Sequence, residues 1–249
     1  MKKLLILLTL FVANIAQADV VGFRVSGGVF DYSVSGTIRS SANVADTIDV
    51  KSVLGWKDDN DTLGYAYIEH PVPIIPNVRV GVTNLTLAGT GTTPAGGFNF
   101  GGTAFPGNTA ITSSTDLSHN EIALYYEILD NVVSFDLGIN AKLFDGDVFL
   151  SAGGSSDSIQ FDETVPMLYL AAAVDLPLTG LSIEGDLSTI SYDDYDLTDY
   201  LIRVKYTTDF VLGVELGYRS ITLDFADTGT NEYADIKIDG PYAAVSLNF

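Results

Sequence analysis

His119 and Glu121 stand two residues apart, with Ser118 beside the histidine. On an extended strand that spacing puts His119 and Glu121 on one face, because successive side chains point to opposite sides. A histidine oriented by a carboxylate is a base-and-orienter pair of the kind a hydrolytic site uses. The rest of the chain supplies nothing to support such a site. There are 2 His, 1 Trp and 0 Cys. Thiolate zinc sites, disulfides and cysteine nucleophiles are therefore excluded, and the second histidine, His70, sits in a proline-rich segment far along the chain. The expectation is no catalytic residue, no cofactor and no metal centre, with His119 a polar residue near a strand end. A lipid-modifying or proteolytic barrel enzyme built on His119 is the alternative.

The remaining chemistry is charge, and its spacing is regular. Arg24, Arg79, Lys142, Arg203, Lys205 and Arg219 fall on the polar side of alternating segments. Glu121, Glu127, Asp136, Asp175, Glu184, Asp186 and Glu215 do the same. Six basic residues against seven acidic ones leave this set at −1. If these faces meet inside one structure, they form a lumen charge network near neutrality. Unpaired charges there would be costly, so the expected state is a salt-bridged plug, with a narrow passage for small solutes as the sharper reading.

The segments that must position these charges read as strands. In Val133 to Leu143 the residues Val133, Phe135, Leu137, Ile139, Ala141 and Leu143 face one way, and Ser134, Asp136, Gly138, Asn140 and Lys142 the other. Apolar-out, polar-in alternation over about ten residues is the mark of a strand that crosses a membrane. The same pattern recurs through the chain and predicts ten strands, near 20–36, 62–70, 77–89, 117–129, 132–145, 164–176, 181–190, 198–207, 211–225 and 234–249. Eight is the alternative count. The parity fails near Leu85, Ile221 and Ile236, where a bulge or extension beyond the membrane is expected. Short connections alternate with longer polar ones near 38–61, 90–116, 146–163, 191–197 and 226–233. The segment from Gly89 to Thr115 reads as a mobile or draped loop.

The fold expected is all-β: a closed antiparallel transmembrane β-barrel with short periplasmic turns and longer extracellular loops. A soluble secreted β protein is the alternative. Residues 1–18, with Lys2, Lys3, an apolar run and Ala16-Gln17-Ala18, read as a cleaved signal peptide, leaving residues 19–249 as the barrel domain. Cleavage removes two lysines and moves the net charge from −20 to −22. A pI near 4.1 excludes a nucleic-acid partner, and a mean hydropathy of +0.26 in so acidic a chain points to apolar surface facing lipid. Acidic runs occur at Asp58-Asp59-Asn60-Asp61, at Asp193-Asp194-Tyr195-Asp196 with Asp199, and at Asp224, Asp227 and Glu232. They are expected to be solvated, with divalent cations bridging to lipopolysaccharide as the alternative partner.

Two further motifs carry a resemblance. The chain ends Ala243, Val245, Leu247, Phe249 with every second residue apolar, similar to the C-terminal assembly signal that barrel-insertion machinery reads. Tyr67 to Asn77 contains His70, Pro71, Pro73, Pro76 and Asn77, expected to form a stiff periplasmic turn. With Gly27-Gly28 and Val53-Leu54-Gly55-Trp56, this segment resembles a family of small proteobacterial outer-membrane β-barrels marked by a Gly-Gly pair. The resemblance implies a location in the outer membrane of a Gram-negative cell and implies no activity.

Overall fold

The computed structural model describes residues 21–208 and 210–249. The signal peptide expected at residues 1–18 lies outside them. The strands are β1 (Gly22–Ser40), β2 (Ile48–Asp49), β3 (Asp59–Glu69), β4 (Asn77–Thr83), β5 (Thr86–Thr92), β6 (Phe98–Phe100), β7 (Thr103–Phe105) and β8 (Ala110–Asp116). They continue as β9 (His119–Leu129), β10 (Val133–Ala152), β11 (Ser155–Leu176), β12 (Leu181–Tyr192), β13 (Tyr195–Thr207), β14 (Leu212–Asp227) and β15 (Glu232–Asn248). Ten of these close a barrel. β1 pairs with β3, β3 with β4, β4 with β9, and each of β9 to β15 with the next; β15 then returns to β1, every pair antiparallel.

The even count places the start of β1 at Gly22 and the C-terminal Phe249 at the end of the barrel with short turns. Phe23 and Phe249 tie the two ends together: each amide donates to the other's carbonyl, at 3.1 and 2.8 Å, and the rings stack 6.1 Å apart. Gly28 lies where β1 presses on β15, and a Cβ there would strike the Ala243 carbonyl, whereas Gly27 faces open space. Of the Gly-Gly pair, only Gly28 is demanded by packing.

The strands run well past the apolar belt, and this accounts for the parity failures at Ile221 and Ile236, whereas Leu85 falls in the break between β4 and β5. In the half near the termini, Val80, Ile122, Leu137, Ile139, Ile183, Ile202, Val214 and Leu216 face outward and exposed. In the other half the apolar side turns inward: Ile38, Leu197, Ile221, Ile236 and Ile238 are buried, while Lys237 and Asp239 pair on the outside. Alternation is unbroken through Ile221 and Ile236, and no register shift occurs there. What changes is the surroundings. Outside the membrane the outer face meets water, so the same period of two builds an ordinary apolar core within.

The segments expected as loops near 146–163, 191–197 and 226–233 are extensions of strand pairs. β10 and β11 stay paired up to Ala152 and Ser155, β12 and β13 to Tyr192 and Tyr195, and β14 and β15 to Asp227 and Glu232. The segment expected as a mobile or draped loop between residues 89 and 115 is instead built structure. β8 pairs with β5 and with the upper part of β10, and β6 and β7 form a hairpin. Phe98 and Phe105 stack within that hairpin at 5.1 Å, and Trp56, Leu54, Leu85, Leu87 and Ile111 are buried beneath it. Gly55, at φ +72°, turns the chain against the Thr90 carbonyl, where a Cβ has no room.

Candidate functional site

Alternation delivers the polar side chains of ten strands to one lumen, where they form two joined clusters. In the first, Lys142 Nζ is the hub. It donates to Glu121 Oε2 at 2.6 Å, Asp199 Oδ2 at 2.8 Å and His119 Nε2 at 3.1 Å, using all three of its protons. Arg79 pairs with the other Glu121 oxygen, and Arg219 forks onto Asp199 at 3.0 and 2.7 Å. In the second cluster, Glu184 is the hub. Arg24 reaches it at 3.0 Å, Arg203 at 2.6 Å, and Lys205 also pairs with it. Arg203 continues to Asp186 at 2.6 Å, and Glu215 accepts from Tyr242 at 2.7 Å.

Tyrosines fill the space between the ions. The Arg79 guanidinium lies 4.1 Å from the Tyr65 ring centre and Arg24 lies 4.0 Å from that of Tyr67. Such stacking suits a planar cation already stripped of water. Arg219 is 0% exposed, Lys142 1% and Glu215 1%, so no water-sized space surrounds them. Six cations and five carboxylates take part, a surplus of one positive charge in a chain whose net charge is −20.

Most of the charges expected in the lumen meet there. Glu127 and Asp175 do not: both have the inward parity but sit exposed near the short-turn end, past the enclosed layer. Asp136 is partly buried at that end. Asp199, read as part of an acidic loop, is instead a hub partner in the lumen. The signal that could have placed it was parity, since it is in phase with Leu201 and Arg203. The Asp58–Asp61 run also separates into individual contacts. Asp58 pairs with Lys51 at 2.7 Å, and Asp61 accepts from Tyr32 at 3.1 Å and from the Thr86 amide at 2.9 Å.

His119 is buried with both ring nitrogens engaged. The Leu117 carbonyl, 3.0 Å from Nδ1, can only accept, so the proton sits on Nδ1 and Nε2 accepts from Lys142. Ser118 Oγ accepts the Leu85 amide at 3.0 Å. His119 and Glu121 thus meet through the ammonium of Lys142. Donor atoms of His119, Glu121 and Asp199 lie within 4.8 Å of one another, a spacing that could ligate a metal, and Lys142 places its charge among them. His70 is held inside its own turn: its amide donates to Asn77 Oδ1 at 3.0 Å, Nδ1 accepts the Val72 amide at 3.3 Å, and Nε2 meets the Pro76 carbonyl at 3.2 Å.

Above the plug lies an apolar chamber of about 400 Å³. His119 and Phe144, whose rings are 4.8 Å apart, belong to its floor, and Trp56, Leu85 and Phe100 to its roof. No local pattern announces it, because its lining comes from seven barrel strands and the capping segments.

No family model and no curated protein matches this sequence. Among solved structures, the chain is similar to the outer membrane protease OmpT from Escherichia coli, at 9% identity over 95% of this chain and 100% of that one, with a TM-score of 0.54. The Pseudomonas putida toluene transporter TodX matches at 13% identity over 91% of this chain and 89% of that one, with a TM-score of 0.34. The likeness to OmpT is one of fold, that of an outer-membrane β-barrel.

Proposed function

We propose that this protein is an integral outer-membrane β-barrel without catalytic activity, closed to solutes at membrane depth, whose role is structural. One observation carries the reading: the ion-paired layer centred on Lys142 and Arg203 is largely buried and charge-matched to within one unit. Glu121, Lys142, Asp199, Glu184 and Arg203 each pair with ions on two other strands, so opening a path means separating several buried pairs together. The outward apolar belt supports a lipid setting, with lipopolysaccharide at the outer rim. Export by a cleaved signal peptide fits that location. Val245, Leu247 and Phe249, all outward and exposed at the chain end, fit a signal read by the insertion machinery.

The non-catalytic reading is supported by His119, whose ring offers no free nitrogen to a substrate, and by the engagement of Ser118 elsewhere. Planar-bilayer recording tests the closed lumen. The purified protein is expected to give no stable unitary current; reproducible steps would instead establish a narrow solute passage.

A further inference from the structure

The geometry points to the apolar chamber as a binding site for one alkyl chain with an uncharged head, entering sideways through the barrel wall. The volume and lining select the chain: about 400 Å³ bounded mostly by apolar side chains admits an alkyl chain. The apolar lining includes Trp56, Leu85, Phe100, Phe144, Ile221 and Ile236, a surface that an apolar ligand would take out of water.

The entry follows from the hydrogen-bond ladder. β11 and β12 pair only as far as Leu168 and Thr189, although β11 continues upward to Ser155. Residues 155–167 of β11 are therefore paired with β10 alone, and the barrel wall is interrupted. Pro166, which has no amide proton to give, stands at that unpaired stretch. The chamber reaches the unpaired stretch of β11, whose residues 160–163 line it, and Tyr195 and Leu197 of the adjoining β12–β13 hairpin line it as well. The break begins at Leu168, an exposed apolar residue of the lipid-facing belt, so the opening adjoins the upper edge of the membrane. The head group meets Asp162, Glu163 and Glu232 against Arg39, a rim of three carboxylates and one cation that disfavours an anion.

Two sources could supply such a chain: a free amphiphile, or an acyl chain of the surrounding lipid. Trp56, the sole tryptophan, is a built-in reporter. In nanodiscs, bromine-tagged dodecanol is titrated in one arm, and phosphatidylcholine brominated in its acyl chains replaces the host lipid in the other. Quenching of Trp56 is expected to saturate in at least one arm and to be lost in Ala234→Phe, which fills the chamber. Quenching by the alcohol alone identifies a free amphiphile, and by the lipid alone a membrane chain. Bromine-tagged dodecanoic acid is expected to need a higher concentration than the alcohol. Leu223→Phe is the second filling variant, and a heat-dependent mobility shift in SDS establishes that each variant is folded. No quenching in either arm, or equal quenching in folded filling variants, would overturn the site. Tighter binding of the acid would overturn the uncharged head.

Discussion

Lys142→Met is expected to lower the free energy of unfolding by about 3–5 kcal/mol, because it leaves two buried carboxylates facing each other without their shared cation. Among the described residues, Lys142 is the one cation paired with both Glu121 and Asp199, and it also holds His119 Nε2. Arg79 and Arg219 remain to hold one carboxylate each, so the fold should persist in weakened form. The measurement is a urea titration of protein refolded into phospholipid vesicles, followed by Trp56 emission and by mobility in SDS. Adding Glu121→Gln to Lys142→Met should restore part of the loss, since neighbouring members of one network do not act additively. A single variant within about 0.5 kcal/mol of the parent would mean that the plug does not depend on its charges.

Ile139→Arg is expected to cost about 2–4 kcal/mol, and Thr222→Arg no more than about 1 kcal/mol, although both side chains point outward from strands of the same barrel. Ile139 is 65% exposed in the middle of the apolar belt, where a guanidinium would sit in hydrocarbon. Thr222 is exposed beside Thr198 and Lys237, in the half whose outer face is polar. The same vesicle titration reads both. Equal costs at the two positions would place both in one environment and remove the distinction between a lipid-facing and a water-facing half.

The barrel was legible because alternation is a local signal. Val133 to Leu143 declares its two faces without reference to any other strand, and the short turns declare their ends. The clusters were legible only as faces: spacing showed that Arg203 and Glu184 point inward, but not that Arg203 also reaches Asp186 across the strand pair. Asp199 is not placed by composition, because the neighbouring acids, Asp193 to Asp196, give that stretch the look of a loop. Ile221 and Ile236 break the alternation only if every strand meets a single environment along its length. The strands pass from lipid into water, and the face that should be apolar changes at that boundary. The cap was hidden for a different reason. Its glycines and threonines resemble a mobile loop, while the aromatic residues that fix it, Phe98, Phe105 and Trp56, are scattered in sequence and meet only in space.

The inversion of polarity along the barrel can be read directly from the accessibility of nitroxides attached to single cysteines on β14. The chain has 0 Cys, so each label is unique. At Leu212, Val214 and Leu216, oxygen dissolved in lipid should relax the label more than an aqueous nickel chelate does. At Thr222 and Asp224, on the same outer face, the chelate should dominate. A chelate preference at all five positions, or immobile labels shielded from both agents at the first three, would contradict a barrel whose lower half meets acyl chains and whose upper half meets water.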